Sequence, residues 1–329
     1  MKKDYSISFC RMVATFFIIL CHILQHFNIE LAWWFNVGVQ MFLFISGYLY
    51  ANKKIKDPIE FYKKTFIKIL LDYYIYIFIF IIGFAIVNGK MMGLGSIVGL
   101  LTFSSVVYGV SHFWFIPYIL FCYLLTPLFS LVLDKIEKKT SSKKVICVAL
   151  LLLVVHVAVY YFASYFKPAY IVCFVLGMIL KRLEKQKPMW LASKVLIIIL
   201  AMIMNGWQIY IVYMKGGELP KEFTTYAHVL LGIVVTYLLK DGFSLVGNLA
   251  RSKRLKQITN RALDISDKYS YDVYIVHHIY IISKISLYAV LGGVIRPTIA
   301  VLFLIIVSAK MLNIVSGFLF DKMISNFLK

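Results

Sequence analysis

Residues 7–27 read ISFCRMVATFFIILCHILQHF, an apolar run that contains two types of basic side chain, arginine and histidine, and no acidic one. A membrane span needs about 20 residues, because the hydrocarbon layer is roughly 30 Å thick and a helix rises about 1.5 Å per residue. The run has this length and lacks a small-residue cleavage site, so it is not typical of a secretory signal. It predicts a retained first transmembrane helix.

Similar apolar runs recur along the chain, and 61% of its 329 residues are hydrophobic. A composition this apolar excludes folding around a water-soluble core. The sequence therefore predicts an all-α, polytopic membrane protein with a single transmembrane domain over residues 1–329. We expect about ten transmembrane helices, near residues 7–27, 33–52, 66–88, 112–134, 145–166, 169–181, 190–214, 226–249, 270–291 and 297–320. The glycine-rich segment 89–111 is expected to be re-entrant or interfacial.

Basic residues test this helix map independently. The chain has thirty-five Lys and Arg against fifteen Asp and Glu, a formal charge of +20. With ten crossings, twenty-four of the basic residues fall on one side of the membrane and five on the other. Because Lys and Arg accumulate in cytoplasmic loops, both termini should be cytoplasmic. Clusters between apolar runs indicate contact with membrane lipids, and no nucleic acid is expected as a partner.

The first predicted helix carries two residues that are energetically unfavourable inside a membrane, Arg11 and His22. They are eleven positions apart, which returns them to nearly the same helix face at a separation of roughly 16 Å. An ionisable group at membrane depth costs several kcal/mol unless it is paired or lines a wet cavity. Arg11 also fits a snorkelling interfacial anchor. His22 is the side chain best suited to accept a proton from a hydroxyl.

Four segments, taken in order, resemble the acyltransferase-3 family of membrane O-acyltransferases. Arg11 and His22, separated by ten residues in the first helix, look like that family's signature. The stretch 42–50, FLFISGYLY, is similar to its FF-x-x-SG-[FY]-L segment. The stretch 112–120, HFWFIPYIL, resembles its WFL-type helix start, and 269–278, YSYDVYIVHH, resembles its S-Y-x-x-Y-L-x-H stretch.

This resemblance implies transfer of an acetyl group from cytoplasmic acetyl-CoA to a hydroxyl of a cell-envelope polysaccharide or lipid-linked sugar. The donor is a substrate, and no bound cofactor is expected. The resemblance gives Arg11 a role in holding the donor and places His22 at the reaction centre. It also implies a multi-pass protein of the bacterial cell membrane.

The donor contacts depart from the family pattern in one respect. The family often opens its third helix with an Arg-rich stretch, whereas this chain has lysines there. Lysine binds phosphate as a point charge, without the bidentate fork of arginine. Besides Arg11, the residues expected to contribute to donor binding are Lys63, Lys64, Lys68, Trp114 and His277.

Acyl transfer to a hydroxyl needs a base and a donor for the developing oxyanion, both in a dry pocket. His22 fits the base, and it also fits a nucleophile that carries the acetyl group as a transient acetyl-imidazole. Tyr274, Ser46 and Gln40 are candidates for oxyanion or orienting roles, since their polar groups lie in apolar helices. The predicted catalytic set is His22, Arg11, Tyr274 and Ser46.

Other classes of function find less support in the residues. His26 lies one turn beyond His22, but no carboxylate or third ligand follows at metal-binding spacing, so no metal site is predicted. The five cysteines are scattered and show no CxxC spacing. A transporter or flippase for a glycan or other polar substrate is the alternative, since intramembrane Arg and His also mark substrate paths.

Overall fold

The computed structural model describes residues 3–104, 107–249 and 252–327, with the backbone alone described at 248–249 and 324–327. Within these ranges the chain is α-helical and has no β-strand. A 3-10 turn, Ser111–Trp114, precedes the sixth helix, and a π-helical segment, Ile209–Met214, follows the ninth. The α-helices are α1 (Tyr5–His26), α2 (Ala32–Phe35), α3 (Val37–Tyr50), α4 (Pro58–Asn88), α5 (Leu94–Leu101), α6 (Phe115–Glu137), α7 (Ser141–Phe162), α8 (Pro168–Leu183), α9 (Lys187–Gln208), α10 (Lys221–Leu249), α11 (Lys253–Ile281), α12 (Leu287–Leu291) and α13 (Ile295–Phe327).

Seven helices among the described residues are long and apolar enough to cross a membrane: Tyr5–His26, Pro58–Asn88, Ser111–Glu137, Ser141–Phe162, Lys187–Met214, Lys221–Gly247 and Ile295–Met323. The all-helical, polytopic prediction is therefore confirmed. The count of ten spans stays a prediction, because α3 and α8 have only 14 and 16 residues. Helix α11 corresponds to the predicted span 270–291. It is not one of the seven, and its first half is strongly charged.

Two predicted helices differ from the observed ones in their extent. The prediction for 33–52 merges α2 and α3, which are separate helices on either side of Asn36. The prediction for 270–291 starts too late and ends too late, since α11 begins in the basic segment at Lys253 and stops at Ile281. Serine hydroxyls explain this end, because Ser283 and Ser286 donate to the carbonyls of Ile279 and Ile281.

The glycine-rich segment after α4 forms the short helix α5 and a turn. Tyr73 and Tyr74 of α4 donate hydrogen bonds to the carbonyls of Leu100 and Leu101, at distances of 2.6 and 3.0 Å. These bonds satisfy carbonyls at the end of α5, which have no partner within the helix. Helix α5 is therefore fixed against α4.

The chain divides into two compact units, which are described separately. The first unit comprises residues 1–17, 36–56 and 121–263, and the second comprises residues 18–35, 57–120 and 264–329. Helices α1, α6 and α11 each contribute one part to each unit. The single transmembrane domain over 1–329 stays a prediction.

Helix α8 lies at the centre of the first unit, and nearly all of its residues are buried. Two glycines allow its backbone to approach α3. A β-carbon at Gly47 would lie 1.9 Å from the Phe174 carbonyl oxygen, and one at Gly177 would lie 2.2 Å from the Phe44 carbonyl oxygen. Such small residues permit close helix packing where lipid supplies no hydrophobic driving force. Gly47 of the FLFISGYLY stretch thus has a packing function.

A charged network joins helices α3, α8 and α10 in the first unit. The Tyr48 hydroxyl of α3 donates to Glu184, just after α8, at 2.6 Å. Glu184 also accepts hydrogen bonds from Lys181 and from Lys240 of α10, at 2.8 and 2.7 Å. Burial alone would raise the pKa of the Glu184 carboxyl, but these hydrogen bonds together hold its pKa below the ordinary value.

Helix α11 is anchored on two sides in the second unit. The Tyr271 hydroxyl donates to the Ile69 carbonyl of α4 at 3.0 Å. On α13, the Asn313 amide donates to the buried Asp272 carboxylate at 3.0 Å. These bonds set the position of the α11 turn that follows, which carries residues 274–278.

Replacing Gly47 with Ala should destabilise the protein, because the new methyl group collides with backbone that has no rotamer to change. We expect a cost of about 1–3 kcal/mol or more, the usual range for overpacking. Thermal unfolding of the purified protein in detergent measures it. Gly242→Ala on α10 is the matched control, since a β-carbon there meets nothing within 4 Å. Equal melting temperatures for Gly47→Ala and the wild type would contradict this packing.

Glu184→Gln should change the pH dependence of stability. A carboxyl whose folded-state pKa is depressed stabilises the fold above its unfolded pKa and loses that effect as pH falls through the folded value. The wild type should therefore be more stable than Glu184→Gln near neutral pH, and the gap should close well below pH 4.5, the ordinary carboxyl value. Melting temperatures of both proteins across this range measure the gap. Glu60→Gln, which removes an exposed ion pair with Lys64, is the control.

Candidate active site

Four imidazole rings meet in the second unit. His22 comes from α1, His112 from the 3-10 turn, and His277 and His278 from α11. The His22 ring centroid lies 5.1 Å from that of His277 and 4.7 Å from that of His278. The His112 ring lies 4.9 Å from His277 and stacks on His278 at 4.7 Å. We call these four residues the histidine cluster.

Backbone carbonyls fix the proton positions on two of these rings. His277 Nδ1 lies 2.7 Å from the carbonyl oxygen of Tyr274, and His112 Nε2 lies 3.2 Å from that of Ile275. A carbonyl oxygen only accepts hydrogen bonds, so each of these nitrogens carries the proton of a neutral ring. The opposite nitrogens, His277 Nε2 and His112 Nδ1, therefore present lone pairs.

Both lone-pair nitrogens are buried, and neither has a hydrogen-bond partner among the described residues. The side chain of His277 has no exposed surface, and that of His112 is 3% exposed. Leaving a buried polar atom unsatisfied costs about 1–3 kcal/mol, so native proteins rarely retain one without a reason. A bound molecule with a hydroxyl group would supply the missing donor. The histidine cluster can thus accept a hydrogen bond from a bound hydroxyl group.

The other two rings are oriented by hydrogen bonds to side chains and, for His278, also to a backbone carbonyl. His22 Nδ1 lies 2.7 Å from Gln25 Oε1, one turn further along α1, and a hydrogen bond donated to this oxygen leaves the lone pair on His22 Nε2. His278 bonds the Gly109 carbonyl through Nδ1 at 3.0 Å and the Ser111 hydroxyl through Nε2 at 3.2 Å. His278 therefore has both nitrogens paired, and it ties the turn at 109–111 to α11.

Tyr274 also contributes to the position of the 3-10 turn. Its hydroxyl donates to the carbonyl of His112, and its ring makes an edge contact with the His112 ring at 5.2 Å. The phenol is 6% exposed. The structure thus shows a positioning contact for Tyr274, and its predicted catalytic role stays a prediction.

The remaining polar candidates lie in the first unit. Ser46 hydrogen-bonds to Tyr123, whose hydroxyl is also within the electrostatic reach of Arg11. Arg11 is half-buried on α1. With its amide oriented to satisfy its neighbours, Gln40 donates to the carbonyl of Asn36 at 2.8 Å. This amide nitrogen is therefore engaged by its own helix, which makes Gln40 a weaker oxyanion candidate than the sequence suggests.

The predicted donor-binding residues of α4 are all exposed in the second unit. Lys64 pairs with Glu60 at 2.6 Å, and Lys68 acts electrostatically on the buried Asp72. Lys63 is also exposed. Trp114 is half-buried, with its ring against Tyr118 at 5.4 Å. Of the predicted donor-binding set, only His277 belongs to the histidine cluster.

Sequence reasoning missed two members of the histidine cluster as functional residues, His112 and His278. His278 is adjacent to His277, and helix geometry alone directs the two side chains to different sides of the helix. The structure shows that both rings reach His22. In the predicted topology, His22 and His112 fall near the outer ends of their helices, whereas His277 and His278 fall near the middle of the predicted helix 270–291. The position along the chain therefore gave only part of the signal.

The prediction that the chain has no metal site can be compared with the arrangement of its side chains. Among the described residues, no three His, Cys, Asp or Glu side chains are arranged to hold a metal ion. His26, the second member of the HxxxH spacing, packs its ring against Tyr288 at 5.0 Å instead. The two buried lone-pair nitrogens of the cluster, His277 Nε2 and His112 Nδ1, are groups that can accept a proton.

The substitution His277→Asn should distinguish the role of Nδ1 from the role of Nε2 in that ring. The asparagine amide can take the place of Nδ1 and donate to the Tyr274 carbonyl, but it leaves nothing at the position of Nε2. If the buried lone pair contacts the substrate, the acyl transfer implied by the sequence should fall by about 100-fold, while the melting temperature stays near that of the wild type. Activity and thermal unfolding of the same preparation measure both.

His26→Asn provides the control for this substitution, because its ring lies in the same unit and packs against Tyr288. It should retain activity. Full activity in His277→Asn would show that the lone pair of His277 has no role in the reaction.

Comparison with known proteins gives one match. A family model described as an acyltransferase domain, Acyl_transf_3, matches residues 4–312, nearly the whole chain. No curated protein and no solved structure matches. The matched range contains the histidine cluster and six of the seven apolar helices in full. The chain is a multi-pass membrane acyltransferase and belongs to the acyltransferase-3 family.

Proposed function

We propose that this acyltransferase moves an acetyl group from cytoplasmic acetyl-CoA to a hydroxyl group of a cell-envelope polysaccharide or lipid-linked sugar. Family membership establishes acyl transfer. The observation that supports a hydroxyl acceptor is the buried lone pair of His277 Nε2, which lacks a donor among the described residues. An alcohol supplies such a donor.

In the transfer step, the acceptor oxygen attacks the thioester carbonyl carbon. A carbon–oxygen bond forms, the carbon–sulfur bond breaks, and the hydroxyl proton passes to an imidazole lone pair. The resulting imidazolium returns this proton to the departing thiolate, which leaves as the thiol of CoA. The histidine is thus neutral at the end of the cycle, and no other reactant is required.

His22 is the proposed base. Gln25 orients its ring, in the same way that a third group orients the base in other acyl-transfer sites. The His277 ring, with centroids 5.1 Å apart, is close enough for both to contact one substrate hydroxyl. His22 can alternatively accept the acetyl group itself, as an acetyl-imidazole that the hydroxyl then cleaves. In both routes the reaction requires a neutral His22 ring.

Arg11 is the proposed anchor for the donor. A guanidinium stays charged at all working pH values and matches the geometry of phosphate groups, which acetyl-CoA carries. On the predicted topology, Arg11 lies toward the cytoplasmic end of α1, the side from which this donor comes. The exposed Lys63, Lys64 and Lys68 of α4 would add a basic cytoplasmic surface that attracts it.

Two proposals follow for the context of the reaction. The enzyme needs no bound cofactor, because acetyl-CoA is consumed as a substrate. It belongs in the bacterial cell membrane, where a cytoplasmic donor and an envelope acceptor are both within reach of one membrane-spanning protein.

The direct test follows labelled acetyl-CoA in membranes that contain this protein. The wild type should transfer label into a glycan fraction, and His22→Ala should reduce this transfer by about 100-fold or more at matched protein level. His156→Ala is the control, because His156 bonds Tyr226 in the first unit and is not a member of the histidine cluster. A wild type that neither binds nor turns over acetyl-CoA would contradict the proposal and favour transport of a polar substrate.

Arg11→Gln tests the donor anchor separately. The substitution should raise the KM for acetyl-CoA by about tenfold or more, the loss expected for one charge-assisted contact to phosphate. The KM for the acceptor should not change. Initial rates at varied donor and acceptor concentrations distinguish the two. An unchanged donor KM would remove Arg11 from the donor site.

A further inference from the structure

A cavity of about 290 Å³ lies in the second unit, and no part of the proposed chemistry uses it. Its long wall is the second half of α4, and it is closed by residues 107–108 and the end of α11. The lining is mostly apolar, and its principal residues are Ile79, Phe80, Phe84, Val87, Tyr108 and Ile279. Its volume is at the lower end of the range for ligand pockets, roughly 300–1,000 Å³. We call it the α4–α11 groove.

One end of the groove is polar. Lys284 and Asn88 line it, and the lysine ammonium donates to the Asn88 amide oxygen at 3.3 Å. Lys284 is exposed, so its other N–H bonds can reach a ligand. A hydrocarbon-lined groove with a cation at its mouth complements an amphiphile that has an apolar tail and an anionic headgroup.

The position of the groove on α4 indicates where such a molecule comes from. Helix α4 is among the helices long enough to cross a membrane. Ile82 and Ile86, between the groove residues of this helix, are 45% and 77% exposed. Exposed isoleucines on a membrane helix contact lipid tails, so the groove is accessible to a molecule that resides in the bilayer. On the predicted topology, its polar end faces the extracytoplasmic side.

Gly109 connects the groove to the histidine cluster. Its carbonyl accepts the hydrogen bond from His278 at 3.0 Å. Its φ of +97° favours glycine, and a β-carbon there would lie 3.4 and 3.5 Å from Ser283 and Phe80, which both line the groove. The backbone at Gly109 therefore lies next to both the histidine cluster and the groove. Lys284, at the polar end of the groove, directly follows Ser283 in the chain, so a headgroup bound there is one residue along the chain from the Gly109 contact.

We propose that the α4–α11 groove binds the hydrocarbon tail of the acceptor, with the lipid phosphate at Lys284, so that the enzyme acylates a sugar still attached to its polyprenyl carrier. This inference rests on the proposed function and narrows its acceptor. Acylation therefore precedes the reaction that releases the sugar from its carrier. A polysaccharide already free of lipid lacks the tail that holds it at the site.

The test uses a photoreactive polyprenyl phosphate and the Gly83→Leu variant. Gly83 lines the groove, and a β-carbon there meets nothing within 4 Å, so leucine can fill the space without displacing its neighbours. Labelling should fall by about tenfold or more, because the tail loses the apolar surface that it buries in the groove. Gly206→Leu on α9 is the matched control, since it is equally open and lies outside the groove.

Photolabelling measures binding to the groove and does not require acyl transfer, so it tests the groove independently of the proposed reaction. His22→Ala should label as the wild type does, although it lacks transfer activity. Lys284→Gln should weaken labelling by the phosphate probe and not by the corresponding neutral polyprenol. Because Lys284 is exposed, this substitution tests the headgroup contact without filling the groove. Equal labelling of Gly83→Leu and the wild type would overturn the inference. Competition by phosphatidylglycerol as effective as that by polyprenyl phosphate would also overturn it, since the groove would then hold ordinary membrane lipid.

Discussion

Every polar group on a membrane helix must find its hydrogen bonds within the protein or its ligand, because hydrocarbon offers none. In this chain, most such groups are satisfied locally. The hydroxyls of Thr126 and Ser283 donate to carbonyls one turn earlier, and Tyr48 shares its hydroxyl with Glu184 and two lysines. Among the buried side-chain atoms of the described residues that have no partner, His277 Nε2 and His112 Nδ1 are two that belong to one cluster of rings. They are buried, they have fixed tautomers, and the described protein gives them no donor.

This constraint also explains how the second unit is built. The 3-10 turn is held against α11 by hydrogen bonds in both directions. Tyr274 donates to the carbonyl of His112, and the His112 ring donates to the carbonyl of Ile275 on α11. His278 bonds the Gly109 carbonyl just before the turn. Helix α11 is in turn held by Tyr271 on α4 and by Asp272 on α13. The histidine cluster is thus positioned by hydrogen bonds between helices, while the first unit depends on close backbone contact at Gly47 and Gly177. Hydrogen bonds from Tyr48 and Lys240 to Glu184 add to this contact in the first unit, because lipid supplies no hydrophobic driving force between helices.

Much of the fold was predictable because membrane helices have a strong sequence signal. The apolar runs predicted the all-helical class and located each long helix. The helix ends were less predictable: serines at 283 and 286 stop α11, and the helix begins in a basic segment that has no apolar pattern. For the site, His22 was predicted from the cost of a histidine in an apolar run. His112 and His278 were not, because their role arises only when a turn and a distant helix bring them together, and no spacing along the chain records that contact. Gln40 shows the opposite case. Its amide in an apolar helix suggested an oxyanion role, but the structure pairs this amide with the Asn36 carbonyl at the start of the same helix.

The most direct measurement of the central claim is ¹⁵N NMR of histidine-labelled protein in bilayers, with His277 assigned from the spectrum of His277→Asn. The account predicts a neutral ring at His277, protonated on Nδ1, with an Nε2 resonance typical of an unprotonated nitrogen. This resonance should move on addition of the hydroxyl acceptor and remain in place with acetyl-CoA alone. An Nε2-protonated tautomer, an imidazolium, or an Nε2 resonance that does not respond to the acceptor would contradict the account.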